Sequence, residues 1–183
     1  MSHHDAVGPD DRIVWLKISF DISQRSQELA WMFEENNHDI YQRKGANSGS
    51  VAVNQSAVMR IQVTGYQQNN PFRLYKIIQA GMVTVPHINP HKKSPKDRIF
   101  RYPPSPFKGQ KYAMHLFENF SPPNPCGVSQ WLPSKALRIN TKGMWELYMY
   151  LTVRIYPKDH ALSHLRIFRF DPELEVNNGS QDD

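Results

Sequence analysis

The sequence predicts an α+β fold: a twisted, mainly antiparallel sheet with one helix packed on a face and long proline-rich loops. The first observation is the stretch Lys142–Tyr156, KGMWELYMYLTVRIY. Trp145, Leu147, Met149, Leu151, Val153 and Ile155 alternate there with Glu146, Tyr148, Tyr150, Thr152, Arg154 and Tyr156. A period of two means a long strand with one buried face and one face turned to water or a partner. The second observation is a helical spacing of Leu29, Met32, Phe33, Asn36 and Ile40, four of them apolar. The third is proline placed at 86, 90, 95, 103, 104 and 106. Backbone ladders do not tolerate that density, so a long loop must run there. Sequential strands and such loops argue against a parallel doubly wound sheet.

The first strand is predicted where Val14, Leu16, Ile18, Phe20 and Ile22 alternate with Trp15, Lys17, Ser19 and Asp21. Ser23 is placed to cap a helix over Ser23–Ile40, with Gln27 and Glu28 in its early turns. Gly45 and the ANSGS run then form a loop. Ala57, Met59, Ile61 and Val63 alternate with Arg60, Gln62 and Thr64, giving a second strand. Phe72–Val85 is extended or begins helical, its apolar spacing fitting both periods. Lys111–Phe120 resumes as a short strand, with Tyr112, Met114 and Leu116 on one side. Ser121–Pro133 is a second proline-rich connection, and His164–Phe170 closes the sheet. The predicted organisation is a disordered arm at 1–11, a single domain at 12–170 and an acidic disordered tail at 171–183.

The chain has 183 residues, 39% of them hydrophobic, and a mean hydropathy of -0.62. That is enough apolar surface for one core with sizeable polar loops. The net charge is +5 and the isoelectric point about 9.3, which favours polyanionic partners. Cys126 is the single cysteine, so no disulfide forms within the chain and a reducing compartment is expected. No apolar run approaches the roughly 20 residues needed to span a bilayer as a helix. The opening MSHHDAVGPDD lacks an apolar signal region, and Ser2 stands where myristoylation needs glycine. Any membrane contact is therefore expected to be peripheral.

The loop His87–Lys111 is the strongest candidate binding element. It carries Lys92, Lys93, Lys96, Arg98, Arg101, Lys108 and Lys111 against Asp97. Phe100, Tyr102 and Phe107 are interleaved with these cations. Such a segment can contact phosphates and stack on bases, or lie on anionic headgroups with its rings in the interface. Alternatively, its lysines merely solvate a loop. HKKSPK also matches a short nuclear-import pattern.

Catalysis is not expected. P-loop, GxGxxG and GxSxG signatures are all missing. Glu34 and Glu35 are adjacent and point apart, so they cannot share a reaction. His87 and His91 have helical metal spacing, but Pro90 between them disfavours the helix, so neither a metal nor a cofactor is expected. Cys126 has no marked base or oxyanion partner. RYPPSPF and FSPPNP resemble proline-rich docking peptides without completing PPxY. YxxL at Tyr148–Leu151 falls inside the predicted strand.

The long strand, preceded by LRINTKG, resembles a segment of rhabdovirus matrix proteins in which a pattern close to KG..EL.M.IY forms a strand. Lys142, Gly143, Glu146, Leu147, Met149, Ile155 and Tyr156 carry the match, the last two displaced by four residues. The order strand, helix with Trp31, glycine-containing loop, strand also looks like that family's core. The size and basic character resemble the plant-infecting, cytorhabdovirus-like members. The lysine-rich arm and PPxY motif of the vesiculovirus members are not present. The resemblance implies a non-enzymatic protein that self-associates, condenses the viral nucleocapsid and ties it to the inner face of the envelope. Its expected partners are the nucleocapsid, the anionic inner leaflet, further copies of itself, and RNA. Its expected locations are the virion, the host cytoplasm and membranes, and the nucleus. Residues 1–11 would then link subunits. The alternative is a basic viral nucleic-acid-binding protein of the silencing-suppressor or movement-protein type. A third reading is a docking domain whose proline-rich loops bind a partner module.

Overall fold

The computed structural model describes residues 11–41, 50–67, 74–86, 105–116, 129–131, 136–156 and 162–177. The strands, in chain order, are β1 (Ile13–Asp21), β2 (Ala30–Glu35), β3 (His38–Asp39), β4 (Ser50–Asn54), β5 (Val58–Tyr66) and β6 (Leu74–Pro86). They continue as β7 (Ala113–His115), β8 (Ser129–Trp131), β9 (Leu137–Arg138), β10 (Gly143–Tyr156), β11 (His164–Phe170) and β12 (Glu173–Asn177).

These strands form two six-stranded sheets. The first runs β3-β2-β1-β5-β8, with β9 also on β5; the second runs β4-β12-β10-β6-β7, with β11 also on β10. Their inner faces meet in one hydrophobic cluster containing Leu16, Phe20, Ile61 and Phe33 from the first sheet and Ile77, Met149, Leu151 and Phe168 from the second. Phe20 bridges the sheets, its ring 5.9 Å from Tyr75 and 5.1 Å from Phe168. Trp31 stacks on Phe170 across the same gap at 5.9 Å. Aromatic pairs at such distances add specific geometry to the area they bury.

The period-two segments form strands where alternation predicts them. Val14, Leu16, Ile18 and Phe20 of β1 are buried, as are Met59, Ile61 and Val63 of β5. All the apolar positions from Trp145 to Ile155 on β10 lie inside. Phe72–Val85, open between two periods, resolves as extended over Leu74–Pro86.

The α+β expectation is overturned. Among the described residues there is no helix, and the sheets are mixed: β1 pairs β5 in parallel, and so does β4 with β12. The predicted helix Ser23–Ile40 is instead a turn followed by the hairpin of β2 and β3. Ser23 is not a helix cap. Its backbone N–H and its hydroxyl both donate to Asp21 Oδ1, and Gln24 N–H donates to the Asp21 carbonyl. Such side-chain bonds offer the backbone an alternative to the helix. Asn36 (φ 50°) and Asn37 (φ 64°) then connect β2 to β3. Two successive positive φ values define a type I′ turn, whose twist suits a hairpin and which asparagine tolerates. The resulting register sets Phe33 beside Leu16 in the core and leaves Met32 exposed. Lys17 Nζ donates to both Glu34 oxygens at 2.6 and 2.7 Å across the same pair.

The predicted termini also change. Residues 171–183 read as a frayed tail, yet Glu173–Asn177 is β12, lying between β4 and β10. Leu174 and Val176 point into the core, and their alternation with Glu173 and Glu175 suits a half-buried strand. Asp11, assigned to the arm, is held by Arg138, whose Nη1 and Nη2 donate to its two carboxylate oxygens at 2.9 and 2.7 Å. The remainder of the arm, 1–10, lies outside the described residues. Within the connection Ser121–Pro133, residues Ser129–Trp131 form β8 against β5.

Candidate functional site

Two surfaces come forward, and the end of the basic loop builds the first. Ser105 and Phe107 are buried, and Phe107 bridges to Ile139. The Lys108 N–H donates to the Arg138 carbonyl at 2.8 Å, and the Asn140 N–H donates to the Pro106 carbonyl at 3.0 Å. Gln110 N–H closes a turn on the Phe107 carbonyl, with Gly109 at φ +69°. That positive φ is why a glycine stands here. The stapled turn leaves Lys108 and Lys111 exposed. Lys92, Lys93, Lys96, Arg98, Arg101, Phe100 and Tyr102 lie outside the described residues, as do His87, His91 and Cys126.

Phe107 cannot serve as the interfacial aromatic predicted for it. It is 2% exposed and belongs to the core. The aromatic that faces solvent beside these lysines is Tyr112, at 61% exposure. Sequence reasoning groups Tyr112 with Met114 and Leu116 on one side of a strand; the strand spans only Ala113–His115, and Met114 alone of these three is buried.

The second surface is the outer face of the second sheet. β10 contributes Glu146, Tyr148, Tyr150, Thr152 and Arg154, the face read from the sequence as wet or partner-facing. β6 pairs along its length, placing Lys76 beside Arg154, Gly81 beside Tyr150 and Val85 beside Glu146. β11 adds Leu165 beside Arg154 and Ile167 beside Thr152. Leu165 and Ile167 are 56% and 54% exposed, large values for β-sheet aliphatics. Leu74, Ile78, Val85 and Tyr148 are also exposed. The Tyr150 ring lies across Gly81, where a Cβ would stand 2.4 Å from the ring. A glycine in a strand often marks such a close approach. Gln79 Nε2 donates to the Tyr150 hydroxyl at 3.4 Å. The face is therefore low in relief at its centre.

Its strand charges are acidic toward one end and basic toward the other, with the exposed Lys111, preceding β7, near the Val85 end. Glu146 lies at one end, with Glu173 and Glu175 of β12 beside it. Lys76 and Arg154 lie together at the other. The extra apolar residues of β11 are hidden in sequence because HLRIFRF mixes cations with both faces.

Next to this face, a cleft of about 580 Å³ opens between the sheets, lined by Glu28, Trp31, Tyr148, Arg169 and Asp171 among others. Two backbone bonds hold its floor: Leu29 N–H donates to the Arg169 carbonyl at 3.0 Å, and Arg169 N–H to the Gln27 carbonyl at 2.8 Å. Its lining, among the described residues, contains no serine–histidine or cysteine–histidine pairing of the kind that activates a nucleophile. Among the described residues, no group of three or more His, Cys, Asp or Glu side chains is placed to hold a metal ion.

No protein-family model matches the chain, and no curated protein matches it.

Proposed function

We propose that this chain is a non-enzymatic viral matrix protein that self-associates, contacts the nucleocapsid and binds the inner face of the envelope peripherally. The observation that carries the reading is the presence of two surfaces of different chemistry. The end of a basic proline-rich segment presents Lys108 and Lys111, and it leads into β7 at the edge of an exposed aliphatic and aromatic sheet face. A matrix protein needs one contact for a polyanion and another for a neighbour, and no reaction chemistry. The +5 net charge suits the first contact, and an uncovered apolar patch marks the second.

Co-sedimentation with anionic liposomes and, separately, with RNA across a salt series tests this. Binding to both is expected, weakening as salt rises. Salt-sensitive RNA binding with no liposome binding points instead to the nucleic-acid-binding alternative. Replacing Lys92, Lys93, Lys96, Arg98 and Arg101 together by Gln is expected to flatten the salt dependence. For single-stranded RNA the log–log slope should fall by up to about 3.5, roughly 0.7 for each phosphate that is no longer neutralised. An unchanged slope would show that these cations only solvate the chain.

A further inference from the structure

We propose that the outer face of the second sheet packs against the same face of a second copy of this chain, about a twofold axis crossing β10 at Tyr150. The inference rests on the self-association in the reading above and assigns its contact surface.

The charge pattern selects the occupant. On β10, Glu146 and Arg154 stand four residues to either side of Tyr150 and share its outward face. A twofold axis lying across the strands at Tyr150 reverses β10 in the second copy. Glu146 of each copy then meets Arg154 of the other, and the two contacts are identical by symmetry. Lys76, the cross-strand neighbour of Arg154, reinforces the basic end. A single antiparallel overlay thus brings opposite charges together twice, whereas a parallel overlay sets like against like. An anionic bilayer or an RNA strand would be attracted at the Lys76–Arg154 end and repelled at the Glu146 end. A surface of complementary dipolar layout satisfies both, and a second copy turned end for end presents one.

The shape agrees. Leu165, Ile167, Val85 and Tyr148 supply apolar area, and the Tyr150 ring lies over Gly81 at the axis. Sheets stack about 10 Å apart when inner side chains interdigitate, which this relief permits. From Glu146 to Arg154 the strand runs about 27 Å at roughly 3.4 Å per residue. Four strands at about 4.8 Å give a width near 19 Å, so each copy contributes on the order of 500 Å². That lies at the weak, reversible end of specific interfaces. Arg169, in register with Tyr150, comes near its own counterpart, and it lines the same cleft as Glu28 and Asp171.

Sedimentation velocity of the full chain over a concentration series tests the assignment. Arg154→Glu and Glu146→Arg are each expected to weaken association about 10-fold or more, with unfolding midpoints close to that of the parent. The double variant carrying both changes restores the complementarity with reversed sign, so it is expected to recover most of the loss. A merely structural role for either residue would not produce that rescue. Unchanged association in both single variants, or a double variant no stronger than either, overturns the assignment while leaving self-association standing. Association lost on deleting residues 2–10 but untouched by the charge changes gives the contact to the arm and also overturns it. A chain that stays monomeric at every concentration overturns both this assignment and the self-association it rests on. If Tyr148→Ser with Ile167→Ser abolishes binding to anionic vesicles but leaves association intact, the face contacts lipid and the proposal fails.

Discussion

Ending the chain after Asp171 is expected to abolish cooperative folding. β12 is an interior strand, parallel to β4 on one side and antiparallel to β10 on the other. Its removal leaves β4 with no neighbour among the described strands and strips one side of the ladder from the first residues of β10. It also removes Leu174 and Val176, 0% and 3% exposed. Burial of side chains of this size contributes about 1.5–3 kcal/mol each. Unpaired backbone at two new sheet edges adds to the loss, because each buried polar group left without a bond costs about 1–3 kcal/mol. Together these approach the roughly 5–15 kcal/mol that separates a folded domain from its unfolded chain. Circular dichroism on heating should show no sharp transition. The point variant Leu174→Ala should remain folded with a lowered midpoint, costing about 2–5 kcal/mol. A truncated protein that melts within a few degrees of the parent would mean that β12 is peripheral.

Leu151→Ala is expected to destabilise the protein by about 2–5 kcal/mol, the usual range for a fully buried leucine. Leu151 is 0% exposed at the middle of β10, flanked by Ala80 of β6 and Phe168 of β11. Paired strands hold this position on both sides, so little relaxation can fill the void. Its neighbour Tyr150 faces outward, half-buried over Gly81. Tyr150→Ala loses that ring contact and the bond from Gln79, and should cost about 1 kcal/mol. Urea denaturation at low protein concentration measures both. Equal losses would require both faces of β10 to be buried within one copy.

Strands with strict alternation are legible in the sequence because period two encodes one buried face directly. β1, β5 and β10 are of this kind. β2 is not legible, because Leu29, Met32, Phe33 and Ile40 fall at helical spacing while belonging to a turn, a hairpin and its exit. The decisive local signal is Asn36–Asn37, a dipeptide suited to a type I′ turn. In β12, acidic composition conceals the alternation of Leu174 and Val176. Composition reports solvation, whereas the pairing of β12 with β4, over a hundred positions earlier, is a tertiary fact that no local window contains. At the candidate surfaces, the outward tyrosines and Arg154 are visible in advance, and Phe107 is misassigned. Proline-rich surroundings make it read as exposed, although its side chain is buried in the core and its backbone bridges to Ile139.

The β4–β12 pairing also constrains the order of events at the ribosome. β4 ends at Asn54, and the strand beside it in the sheet begins at Glu173. Synthesis at about 5–20 residues per second separates the two by roughly 6–24 s. Throughout that interval Val51 and Val53 sit on a nascent strand with an open edge, a ready template for pairing with another chain. The hairpin β1–β2 can close within microseconds of emergence, but the second sheet cannot complete until its last-made strand inserts between two earlier ones. Slow translation between β4 and β12 therefore prolongs exposure to misassembly, and a holdase that shields Ser50–Asn54 should raise the yield of native protein in a cell-free system.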